Sequence, residues 1–329
     1  KGIEFNVDAL IVNKKDFSLS ASFNIGFNKN RVEKFKNGES NYKTYSSKWN
    51  GNSAAPFDDY IIREGEAVGQ MYGYITGGMY TFDDFDYIGT GTYPYRLKGD
   101  TDGSKTEAAA SLIGAKYFGP GSLKLVDKDG NIATSTDAKT VIGNANPDLI
   151  GGFNLTARYK GFDLSAFFNF SIGNDVYNAN KIDNSCYSGS RKYNNLVEEM
   201  KNRFTYIDPA TGYLAYNDPV RLAEINKNAT IWSPYMTTAV LHSWAVEDGS
   251  FLRFNNLTLG YTFPKRWVKK LGLTNLRIYG TVYNVCVITG YSGFDPEVST
   301  RNSTAMTPGV DYSAYPKSRS FIGGVNVSF

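Results

Sequence analysis

From Ile3 to Phe27 apolar and polar residues alternate with a period of two. Ile3, Phe5, Val7, Ala9 and Ile11 share one side, opposite Glu4, Asn6 and Asp8. After residues 13–16 the pattern resumes with Phe17, Leu19, Ala21, Phe23, Ile25 and Phe27, separated by Ser18, Ser20, Ser22, Asn24 and Gly26. Neighbouring strand side chains point to opposite faces, so this spacing predicts a hairpin with one apolar and one small polar face. A second hairpin is predicted over 148–172. Phe153, Leu155, Ala157 and Tyr159 lead into a Lys160-Gly161 turn, and Phe162, Leu164, Ala166, Phe168, Phe170 and Ile172 lead out of it. Further strands are predicted at 250–263, 274–288 and 318–329. The middle one shows no uniform face, as a bulge would cause.

These runs are about 11–15 residues long, whereas globular strands are typically about 5–6 and a bilayer-spanning strand needs about 9–11. Their connections alternate too: 13–16, 160–161 and 264–273 are short, and 29–147, 173–249 and 289–317 are long. Short turns at one end and long loops at the other are the asymmetry of an outer-membrane barrel. An apolar face could equally pack inside a soluble sandwich; strand length and loop asymmetry decide for lipid. Tyr159, Phe162, Phe263, Trp267 and Phe329 gather at the short-turn end, where amphipathic rings would sit at headgroup depth. Within the long segments a helix is expected near 194–204, where Leu196, Met200 and Phe204 share a face. A short helix is expected after Pro264. Extra strands in 60–126 would have to come in pairs.

Composition narrows the function. Of 329 residues, 35 are Lys or Arg and 32 Asp or Glu, a net charge of +3 that gives nucleic acid no basic surface. No apolar run reaches the length of a transmembrane helix. Cys186 and Cys286, 100 residues apart, permit one disulfide at most, and His242 is the sole histidine. This leaves no Cys/His metal framework and no His-based triad. Asp83, Asp84 and Asp86, and the pair Asp295 and Glu297, are the carboxylates a glycosidase would need; solvated loops explain them better, and no enzyme is expected. Seven strands is an odd number and a free edge is not viable in lipid, so further strands are expected before Lys1.

Several motifs resemble the C-terminal part of the SusC/RagA family of TonB-dependent outer-membrane transporters of Bacteroidetes. They are Ile62-Arg63-Glu64-Gly65-Glu66 with Tyr72-Gly73-Tyr74, Phe118-Gly119-Pro120-Gly121, Ile142-Gly143-Asn144-Ala145-Asn146-Pro147 and Tyr159-Lys160-Gly161-Phe162-Asp163-Leu164. Asp248-Gly249-Ser250-Phe251-Leu252-Arg253 runs on into Leu257-Thr258-Leu259-Gly260-Tyr261. Tyr291-Ser292-Gly293-Phe294-Asp295-Pro296-Glu297 and Tyr315-Pro316-Lys317-Ser318-Arg319 complete the series. The departure is at Asp127-Lys128-Asp129-Gly130-Asn131, where the family resemblance implies a calcium-type loop. Asp127, Asp129 and Asn131 occupy ligand positions, but Ala138 stands where the closing Glu belongs.

The resemblance implies an all-β fold, with residues 1–329 forming the C-terminal portion of a large antiparallel transmembrane β-barrel of 22 strands. The plug domain and N-terminal strands would lie outside this chain. It implies residence in the outer membrane with long loops extracellular and short turns periplasmic. It also implies TonB-dependent import of an oligosaccharide or peptide, a SusD-like surface lipoprotein, and TonB contact through the missing N-terminal part. Calcium is the one cofactor raised. Trp49, Tyr72, Tyr74, Tyr80, Tyr187, Trp232, Trp244 and Tyr291, set among Asn and Asp in the long loops, are the candidate ligand-binding rings. A passive outer-membrane porin or a surface glycan-binding adhesin is the alternative.

Overall fold

Period-two alternation closes into an antiparallel sheet of seven strands. The computed structural model describes residues 1–36, 40–49, 58–187, 195–300 and 305–329. In it β1 (Gly2–Asn13), β2 (Phe17–Asn28), β3 (Leu149–Tyr159), β4 (Phe162–Ile172), β5 (Phe251–Thr262), β6 (Asn275–Thr289) and β7 (Ser320–Ser328) lie side by side in chain order. The shortest has 9 residues and the longest 15, enough to cross a hydrocarbon core at a tilt.

The registers put the apolar sets in rows on one face. Phe153 lies opposite both Phe23 and Phe168, and Phe168 lies opposite Phe254. Phe153 and Phe168 stack at 4.4 Å, and Phe168 and Phe254 at 4.2 Å. Ile278 and Val282 continue this face across to Val325 and Phe321. The opposite face is polar. Asp163 holds Arg277 through two hydrogen bonds of 3.0 and 2.5 Å, Thr258 meets Thr281 at 2.9 Å, and Asn255 donates to Asn169.

The bulge inferred from the unclear pattern of β6 is present. Phe254 pairs with Cys286 and Asn256 with Tyr283, leaving Asn284 and Val285 opposite Asn255 alone. Asn284 takes a left-handed φ of 51°, which Asn tolerates better than most residues. On β5 the bulge shifts the outward set from Leu252 and Phe254 to Leu257, Leu259 and Tyr261, pairing them with Ala166, Leu164 and Phe162 of β4.

The hydrophobic core lies in the long connections, not in the sheet: its cluster runs from Trp49 to Val310 without a residue of β1–β7. Strands there are two to five residues long. They include 42–45, 60–63, 70–73 and 140–144 in one sheet, and 175–178 between 246–248 and 310–311 in another. None of those in 60–126 joins the seven-stranded sheet. Helix α1 (Ser104–Ile113) buries Ala109, Ala110, Leu112 and Ile113 in this core.

The helix expected at 194–204 is corrected to a 3₁₀ turn, Glu198–Asn202, with Met200 buried; Asn194 falls outside the described residues. The Val197 amide is spent on the Asn184 carbonyl and the Phe204 amide on Ile231, so tertiary bonds take the groups a longer helix would use. Helix α2 (Lys265–Val268) does start after Pro264, which caps it. The disulfide does not form. Cys186 is buried among the loops, and Cys286 is exposed on the sheet's outward face, paired in register with Phe254.

Candidate functional site: the inner wall and the loop layer

Small polar residues on the inward face leave room beneath the loops. A cavity of about 1090 Å³ lies between Asn24, Gly152 and Asn169 of the wall and Asp175, Glu297 and Pro308 of the loops. The loop 289–317 is fixed at its edge by charge. Arg253, 2% exposed, donates to Asp295 at 2.5 Å and to Asn284 Oδ1 at 2.9 Å, with Glu297 3.3 Å from its Nε. Lys317 closes the group on Glu297 at 2.5 Å. The bulge thus has a use: it places the Asn284 amide where it receives Arg253 and donates to the Lys317 carbonyl.

Deeper in the loops His242 stacks parallel to Trp244 and edge-on to Trp232, and shares a 2.8 Å hydrogen bond with Thr76. Lys181 lies 4.3 Å over the Trp244 ring and 3.2 Å from Glu247, whose carboxylate also receives Ser292 and Asn178. Burial, reinforced by the Lys181 charge, pushes His242 down to about 3. Because the folded value lies below the ordinary one, the unfolded loops bind the extra proton as pH falls through 6.5 toward 3, and stability is lost in that window. At pH 5 the loss should be about 2 kcal/mol. The difference in loop proteolysis between the natural chain and His242→Gln, followed from pH 7 to 5, measures it. Burial raises Asp59 to about 6, which acts in the opposite direction and is common to both proteins.

The eight candidate rings divide by burial. Trp49 is 0% exposed and donates to the Tyr177 hydroxyl at 2.6 Å. Tyr74, Tyr80, Trp232 and Tyr291 are also buried, the last donating to Asp311 at 2.7 Å. A ring closed on both faces packs the loop core and offers a ligand no surface; any additional chain could only bury it further. Tyr72 and Trp244 are half-buried and Tyr187 is 39% exposed, so these three keep accessible surface. A pocket of about 610 Å³, bordered by the Lys181 that lies over Trp244, is lined by Asn178, Asn180, Asn184, Glu198 and Phe294, an amide-rich set that periodicity could not single out.

The remaining candidates take part in local bonds. Asp127 accepts from the amides of Asp129 and Asn131 and from the Asn131 side chain, closing a turn on itself. Among the described residues no group of three or more His, Cys, Asp or Glu converges on a metal position. Asp84 is held by Lys124 at 2.8 Å, and Asp295 and Glu297 are held by Arg253 and Lys317. In the sequence the Arg253 group shows only as isolated charges; their meeting depends on a 42-residue separation.

No protein-family model matches the chain. Its full length is 31% identical to TonB-dependent receptor P3 of Formosa agariphila and 25% identical to TonB-dependent receptor SusC of Bacteroides thetaiotaomicron. It spans 28% and 26% of those proteins. In fold, the whole chain superposes on 28% of a chain of the RagAB peptide importer in its open-open state, with a TM-score of 0.66 at 21% identity. A second RagAB peptide transporter structure gives 0.64 at 22% identity, covering 29% of that chain. Over its whole length the chain is similar to part of the SusC-type TonB-dependent receptors, and its long strands and outward apolar rows share the fold of the RagAB β-barrel chain.

Proposed function

We propose that the complete receptor imports an oligosaccharide or a peptide across the outer membrane by TonB-driven transport, with β1–β7 as part of its wall. The observation that carries this reading is the division of the chain into an outward apolar sheet and a separately cored loop layer roofing a cavity against the wall. A passive pore needs no such roof. In this reading the 13–16, 160–161 and 264–273 turns are periplasmic, the long loops extracellular, and a SusD-like lipoprotein covers the loops. Uptake by cells carrying the full receptor should collapse when the proton-motive force is dissipated, and unaffected uptake would return the protein to the porin reading.

The ligand is expected at the accessible rings and not the buried ones. Tyr187→Ala and Trp244→Ala should weaken ligand or lid binding without unfolding the loops, since stacking on a half-exposed ring is what each loses. Trp49→Ala and Trp232→Ala should instead destabilise the loop layer by about 3–5 kcal/mol, the cost of emptying a packed aromatic site. Isothermal titration together with loop proteolysis separates the two classes. Binding that survives every accessible-ring change would remove the assignment.

A further inference from the structure

The short turns carry charge out of proportion to their length. Lys14 and Lys15 lie in the first, Lys160 in the second, and Lys265, Arg266, Lys269 and Lys270 in the third, against the single carboxylate of Asp16. The whole chain is only +3, so everything outside these turns is net negative. All seven cations are exposed, and none forms an ion pair among the described residues. The third turn is shaped to display them. Val268 is buried and anchors it, Gly272 ends it with a φ of 73°, and Trp267 and Leu271 stand 51% and 71% exposed among the four charges.

Next to the cations the outward face carries a band of rings. Phe17 meets Tyr159 at 6.5 Å, Phe162 meets Tyr261 at 4.6 Å, and Tyr261 meets Phe263 at 5.0 Å, with Tyr159 and Phe162 opposite each other in register. Such a band marks the boundary between hydrocarbon and headgroups. The cations stand just beyond it, at headgroup depth, where flexible stems can reach phosphates while their methylenes stay on the apolar side. They are spread along the ends of six adjacent strands, roughly 25 Å at normal strand spacing, which suits a row of lipids.

We propose that this rim binds the headgroups of anionic phospholipids. Charge complementarity and continuity with the lipid-facing band carry the assignment, which depends on the barrel and not on what the receptor imports. The test places the full-length receptor in phosphatidylcholine bilayers and measures its association with spin-labelled phosphatidylglycerol relative to spin-labelled phosphatidylcholine. Averaged over the whole lipid shell, a preference of about threefold for phosphatidylglycerol is expected at low salt, falling toward one in 1 M salt, where charge is screened within about 3 Å. Replacing Lys265, Arg266, Lys269 and Lys270 by Gln should remove most of it, and arginine at the three lysines should retain it. If the four-Gln protein fails to insert, as its heat-modifiable mobility would show, Lys14→Gln with Lys15→Gln and the salt series carry the comparison. Equal association of the two lipids with the natural receptor, or a preference that the Gln changes leave intact, would overturn the proposal.

Discussion

Arg253→Met should release the 289–317 loop at a cost of about 3–5 kcal/mol, because it leaves the buried Asp295 charge with only a long contact, 3.9 Å, to Lys317. Asp295 is 4% exposed, and water cannot replace the guanidinium there. Since local opening sets the rate of cleavage when reclosing is fast, protease nicking of this loop in the assembled receptor should accelerate by roughly a hundredfold or more. Removing both charges, as in Arg253→Met with Asp295→Leu, should recover much of the loss, since an apolar pair of similar volume often equals a buried ion pair. Glu297 lies at the exposed edge of the same group, and Glu297→Gln should cost less than about 1 kcal/mol. Equal effects from Asp295 and Glu297 would show that burial does not govern this cluster.

Phe168→Arg should cost roughly 2–4 kcal/mol in folding into lipid vesicles, the penalty for a cation near the bilayer midplane. Phe168 also stacks between Phe153 and Phe254, so part of the loss is aromatic contact. Leu164→Arg, nearer the short-turn end of β4, should cost less, and Asn169→Arg on the polar face less again. Urea titration of the full-length barrel in vesicles gives all three values. A penalty that does not decline toward the strand end would contradict a lipid-facing surface.

What could be read in the chain follows from how each part is stabilised. The seven strands alternate because one face meets hydrocarbon and the other polar surroundings, and that constraint is written at every second residue from Ile3 to Ala9, from Phe17 to Phe27 and from Phe153 to Ile172; at Ile11, expected on the apolar face, a bulge breaks the period and brings Val12 opposite Leu19 instead. The loop layer has no such constraint. Its strands are too short to show a period, and its core is built from pairs such as Trp49 and Tyr177, 128 residues apart. Hence nothing local distinguishes Trp49, enclosed, from Tyr187, accessible. Helix α1 did leave a local trace. Asp100 accepts from the Gly103 and Thr106 amides ahead of an alanine-rich run, a start signal that the surrounding glycines obscured. For β6, Tyr279 and Tyr283 share the polar face with Arg277, so its two sides differ too little in hydropathy to be told apart before the bulge is seen.

The alternation of short and long connections also orders the assembly of the wall in time. β1 is joined to β2 through three residues, β3 to β4 through two, and β5 to β6 through twelve that carry α2, so each hairpin can form at the speed of local closure. Joining β2 to β3 means closing the 29–147 segment, which by chain statistics costs about 3 kcal/mol more entropy than closing a four-residue turn. Three hairpins therefore stand as the natural units of insertion, and the ring contacts Phe23–Phe170 and Phe168–Phe254, which cross between hairpins, form only when those units meet. Prior folding of the 29–147 and 173–249 segments on their own core shortens the effective span to be closed and turns a high-contact-order sheet into the docking of three preformed pieces.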